Sequence, residues 1–172
     1  MSENKRVYGD DSNLPLKTTT KTAIDSKRDI DAELARWGIT KVMWNWDLTK
    51  SAGVEIAFQL PKDKFYSDTI PLSVRLSPPL VWKKQKKGKA AEVDWRLSIR
   101  LLYWYIHYQM AWVYANQSSP VVAFLPHIAV SEHDTVKDMV IPQISSLKAL
   151  PDSVKRRDAI EVEATVIDEK DF

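Results

Sequence analysis

Five lysines within seven residues, Lys83, Lys84, Lys86, Lys87 and Lys89, form the densest patch of reactive charge in this chain. Ammonium groups so closely spaced can neutralise polynucleotide phosphates, with binding driven by release of the counterions those phosphates hold. Trp82, immediately before them, offers a flat surface on which an unpaired base could stack. The plainer reading is a solvated loop whose charge aids solubility. Beyond the loop, Arg96 and Arg100 open a stripe continued by Tyr103, His107 and Tyr114. Loop and stripe together would make a basic track interleaved with aromatic rings. Against this, Asp94, Glu92 or the acidic C-terminal segment could claim both guanidinium groups, as buried arginines usually find such partners.

Catalytic patterns are poorly represented. His127, Glu132, His133 and Asp134 gather metal-ligand types, but without the spacing of a zinc or facial-triad site. Asp152 with Glu161 and Glu163 is faintly similar to a nuclease carboxylate set that lacks its lysine. With only four glycines, the chain holds no phosphate-cradling loop, nucleophile elbow or dinucleotide fingerprint. No cysteine is present, which removes thiol nucleophiles, disulfides and thiolate metal sites together. The expectation is a protein that binds rather than catalyses, with no cofactor and no metal.

The elements that must position these residues follow from periodicity. Residues 1–21 are polar and read as a flexible N-terminal arm. A helix follows, its start marked by Ser26 and Asp29 as a capping pair and its end by Gly38. Val42, Trp44 and Trp46 then alternate with Met43 and Asn45, which predicts a strand whose tryptophans face the core. Val54, Ile56, Phe58 and Leu60 mark a second strand, and Ile70, Leu72, Val74 and Leu76 a third, starting near Pro71. Short connections favour an antiparallel meander.

The central segment, 93–113, is apolar on nearly every side when wound as a helix, so it should be enclosed by the fold or a partner. Residues 121–130, interrupted by Pro126, predict a buried connector or short strand. Asp134 should cap a short helix that stops before Pro142. Residues 151–172 read as a charged, disordered tail, leaving 22–150 as a single α+β domain. At 172 residues and 44% hydrophobic content, one such core is the natural outcome. No leader-like segment and no membrane-length apolar run is visible, so a cytoplasmic location is expected.

On Leu14-Pro15, the helix end at Ala35 to Gly38, the two alternating strands, the Trp95, Arg96 and Arg100 lead of the long helix, and Phe124-Leu125-Pro126, the chain resembles a family of small proteins encoded by phages, prophages and related mobile elements. The resemblance spans residues 14–140. It carries no assigned activity and no site residues, and implies a setting in which phage or host DNA is handled. The order of helix, meander and long helix is also similar, as topology alone, to single-strand annealing proteins that hold DNA in a basic groove.

The sequence therefore predicts a three-stranded antiparallel meander packed on one long apolar helix, flanked by an N-terminal helix. Its expected role is as a nucleic-acid-binding accessory protein of a mobile element. Single- or double-stranded DNA would meet Lys83, Lys84, Lys86, Lys87, Lys89, Arg96 and Arg100 through its phosphates and Trp82 through a base. The competing role is a protein–protein adaptor or homo-oligomeric component that uses the aromatic helix as its interface.

Overall fold

The first long helix, α1 (Ala23–Arg36), begins one turn earlier than the Ser26 pair would place it. Thr22 is the cap: its hydroxyl accepts from the Asp25 N–H at 3.1 Å, and the Asp25 carboxylate accepts from the Thr22 N–H at 3.2 Å. Ser26 is instead fully buried, and Asp29 is drawn to Lys21 and Arg100. At the other end Gly38 has φ +77°. Its N–H reaches the Ala35 carbonyl and that of Ile39 reaches Leu34, both at 3.0 Å. The left-handed glycine thus folds Ile39 back into the core beside Leu34.

The computed structural model describes residues 6–16, 18–50, 53–61, 71–84 and 91–146. Within them β2 (Val42–Trp46), β3 (Val54–Gln59) and β4 (Ser73–Leu76) form an antiparallel sheet in that spatial order. Trp44 sits opposite Ile56, and Ile56 opposite Leu76. Ile70 lies outside the described residues, and the third strand's ladder starts at Ser73, after Pro71. Val54, Ile56, Phe58, Val74 and Leu76 make the buried face, as period-two burial requires.

That face closes on α2 (Trp95–Ala115), which contributes Ile99, Leu102, Ile106 and Met110 to the same core as Ile30 and Leu34 of α1. The predicted α+β architecture is present. Enclosure of α2 is incomplete, however: Tyr108, Trp112 and Tyr114 stand exposed near its C-terminal end.

Two segments are then more helical than the sequence suggests, the first taking the connector over the strand alternative. Residues 120–127 are helical: α3 (Pro120–Phe124) runs into a 3-10 turn (Leu125–His127). Ser119 supplies the cap, accepting from the Val121 N–H at 3.1 Å, and Pro120 takes the first helical position, where no N–H is needed. Phe124 packs edge-on against Phe58 at 5.6 Å, tying α3 to the sheet. The last helix, α4 (Val136–Ser146), passes through Pro142 instead of stopping before it. Thr135, not Asp134, is its anchor, with its backbone N–H and its hydroxyl both donating to the Asp138 carboxylate.

One pairing has no precursor in the periodicity. In the N-terminal arm, β1 (Val7–Tyr8) lies parallel to β5 (Val81–Trp82), with Val7 opposite Val81 and Tyr8 opposite Trp82. No helix among the described residues is long and apolar enough to cross a membrane.

Candidate nucleic-acid interface

The polar stripe of α2 lies along α1 with its arginines already engaged, and only its ends, Arg96 and Tyr114, stand exposed. Arg96 donates to the Thr19 carbonyl at 2.8 Å and sits 3.6 Å from Asp94. Arg100 meets Asp29 at 2.7 Å, and the same carboxylate takes Lys21 at 2.6 Å. His107 bonds Glu33 at 3.1 Å, and Tyr114 packs on Trp37 at 5.9 Å between ring centres. These contacts ascend both helices together, so α1 and α2 run in the same direction.

The charged groups inside the seam are paired, although the Ser26 hydroxyl and the Trp104 indole N–H are buried without a hydrogen-bond partner. Glu33 is only 3% exposed, yet its oxygens receive His107, the Trp37 indole N–H at 3.2 Å and Arg36 at 3.0 Å. A buried carboxylate tolerates such a position only when bonded this fully. The Arg100 side chain is 13% exposed, with its guanidinium 4.2 Å above the Tyr103 ring. It has little left to offer a phosphate. Burial pushes the Asp29 carboxyl up, but the bonds from Lys21 and Arg100 outweigh it and hold the group below its ordinary value.

The other end of the predicted site opens beside β5. Its strand is bracketed on one side by β1, where the Gly9 N–H bonds the Trp82 carbonyl at 2.9 Å. On its other side runs the segment entering α2, where Lys83 N–H meets the Glu92 carbonyl at 2.9 Å and Asp94 N–H the Val81 carbonyl at 2.7 Å. Ser98, fully buried on α2, accepts the Val81 N–H at 3.2 Å. These bonds hold Trp82 at the rim of a groove of about 560 Å³.

Three cations, Arg6, Lys50 and Lys83, line that groove with two indoles, Trp82 and Trp95, and with Glu92. Arg6 lies 4.6 Å above the Trp82 ring. Lys50 is placed by the β2–β3 turn, whose Asp47 carboxylate accepts from the Thr49 N–H at 3.0 Å and pairs with Lys50 at 3.2 Å. The Thr49 hydroxyl and backbone bonds, with help from Lys50, hold the Asp47 carboxyl below its usual value. Gly53 closes the turn, and only glycine fits: a β-carbon there would stand 1.9 Å from the Asp47 carbonyl oxygen. The indole N–H of Trp95 donates to the Leu48 carbonyl at 2.8 Å, locking turn to helix.

Of the residues singled out from sequence, Trp82 and Lys83 line the groove, and Lys84 follows with Asp10 at 3.1 Å. Lys86, Lys87 and Lys89 lie outside the described residues. Arg96 stands at the mouth of the α1–α2 seam and Arg100 within it. Sequence reasoning missed Arg6 and Lys50, each isolated in its own polar stretch, with no spacing to connect it to Trp82. Among the described residues no three His, Asp or Glu side chains form a group able to hold a metal ion. His127 instead packs edge-on against Tyr105 at 5.6 Å, and its burial, followed by Lys137, lowers its pKa. Asp152, Glu161 and Glu163 lie outside the described residues. No protein-family model, curated protein or solved structure matches this chain.

Proposed function

We propose that the protein is a nucleic-acid-binding accessory factor of a phage or mobile element. It acts in the cytoplasm by holding an unpaired strand rather than by catalysing a reaction. Support for this reading rests on one observation: Arg6, Lys50 and Lys83 converge with two indole rings on a single groove. Cations tracking a backbone beside rings that stack on bases are the combination that sequence-tolerant single-strand binding uses.

The ion pairs of Lys83 and its neighbour Lys84 favour exchange. Lys83–Glu92 and Lys84–Asp10 are solvent-exposed contacts, and such ion pairs contribute only about 0–1 kcal/mol. A phosphate, bringing counterion release with it, can displace them. Trp82 would then stack a base, with Lys50, Lys83 and Lys84 on successive phosphates. In this reading Lys86, Lys87 and Lys89 extend the contact, while Arg96 borders it and Arg100 holds the scaffold.

Fluorescence anisotropy with labelled single- and double-stranded oligonucleotides tests the proposal directly. Micromolar or tighter binding of the single strand is expected at about 50 mM salt, falling steeply by about 200 mM. Absence of binding at the lower salt overturns it.

A further inference from the structure

We propose that β2 pairs antiparallel with β2 of a second copy across a two-fold axis at Trp44, so that the sheets of two chains become one. This inference is independent of the nucleic-acid reading.

The two edges of the β2-β3-β4 sheet differ. β4 is covered: the Ala129 N–H bonds the Ser73 carbonyl at 2.8 Å, and Ile128 bridges to Val74. β2 has no such neighbour. The Gln59 N–H bonds the Lys41 carbonyl at 3.2 Å, and the Asp47 N–H bonds the Gly53 carbonyl at 2.8 Å. Those two pairs fix the alternation along the strand. Lys41, Met43, Asn45 and Asp47 turn their backbone groups to β3, whereas Val42, Trp44 and Trp46 turn theirs away. Among the described residues nothing bonds these outward groups.

An open edge is a template for another strand, and proteins ordinarily blunt it with a proline, a bulge or a charge. β2 carries none of these. Val42–Trp46 pairs with β3 in unbroken register, holds no proline or charged side chain, and leaves Met43 70% exposed.

The strand that fits this edge is its own copy. Antiparallel pairing of a strand with itself is two-fold by construction. Only the register with Trp44 opposite Trp44 places all three outward residues in hydrogen-bonded pairs, with Val42 then opposite Trp46. It also sets Met43 opposite Asn45 and Lys41 opposite Asp47, so both ends close on opposite charges. Lys41 is exposed and makes no ion pair among the described residues. Asp47 meets Lys50 in a solvent-exposed pair, which a second lysine can share. The flank of α1 beside this edge is likewise self-complementary. There Asp31 accepts the Trp44 indole N–H at 2.8 Å, and Lys27 lies 4.8 Å over the same ring. The two-fold axis reverses that flank against itself, cation toward carboxylate.

The absence of cysteine makes the test clean. Full-length Met43→Cys and Asn45→Cys chains, each singly substituted, are mixed and oxidised with copper–phenanthroline. Facing residues of a non-hydrogen-bonded pair lie about 4.5 Å apart at Cα, within reach of a disulfide. The expected result is a 43-to-45 linked dimer, formed in the mixture and far less in either variant alone. Sedimentation equilibrium should give a dimer mass for the native chain. Val42→Pro removes an outward N–H but no bond to β3, and should raise the dissociation constant about a hundredfold with an unchanged far-UV spectrum. Lys41→Glu, a change on an exposed side chain, should raise it about tenfold by setting like charges opposite each other. A native chain that is monomeric at tens of micromolar, a dimer without the 43-to-45 link, or a Lys41→Glu dimer as tight as the native one would each overturn the proposal.

Discussion

The α1–α2 seam and the β5 groove are built from the same side-chain types, arginine, lysine, carboxylate and tryptophan, and differ in water. In the seam, Glu33 and Arg100 are withdrawn from solvent and every bond they make is structural. Around the groove, Lys83 and Lys84 hold their carboxylates in the open, where solvent screens the attraction. Charge identity alone therefore does not mark a binding surface. On the proposed reading, what marks it is charge whose present partner is readily displaced, placed beside a ring that can stack.

Substitutions should separate the two regions. The largest effect belongs to the turn beneath the groove: Gly53→Ala forces a β-carbon onto the Asp47 carbonyl and should cost about 3 kcal/mol in urea unfolding. Nearly as large, Glu33→Ala leaves the Trp37 and His107 donors without their acceptor and should cost about 2 kcal/mol, while oligonucleotide affinity per folded molecule stays unchanged. A loss of binding there would erase the distinction between seam and groove. Trp82→Ala should do the reverse, weakening single-strand affinity about tenfold with little change in unfolding midpoint.

The smallest effect is on acidity. Asp47 has a folded pKa below its ordinary 3.8, so its bonds support the turn fully above that value. They are lost only as pH falls through the lower folded pKa. The Thr49 amide resonance should accordingly hold steady from pH 7 to about 5 and move only in stronger acid.

The sheet was legible because its chemistry is local: alternation at Val54, Ile56 and Phe58 fixes which face is buried, whatever packs on it. The start of α1 was ambiguous for a physical reason. Thr22 to Asp25 and Ser26 to Asp29 offer the same cap, and only the burial of Ser26 and the capture of Asp29 by Arg100 decide between them. The stripe on α2 looked basic because its partners, Asp29 and Glu33, sit on another helix. Their four-residue spacing was the available sign that α1 presents an acidic face. Arg6 could not be anticipated at all, since it reaches Trp82 through a strand of two residues. The run through Pro142 is not legible in the sequence because a proline ends a helix on local grounds.

That short strand also bears on how the molecule breathes. β1 joins β5 across more than seventy residues, yet only two residues on each side are paired. Closing so long a stretch of chain is entropically costly, and so small a ladder returns little. The groove should therefore be the last region to assemble and the first to open, with the Gly9 amide exchanging its hydrogen long before those of β3.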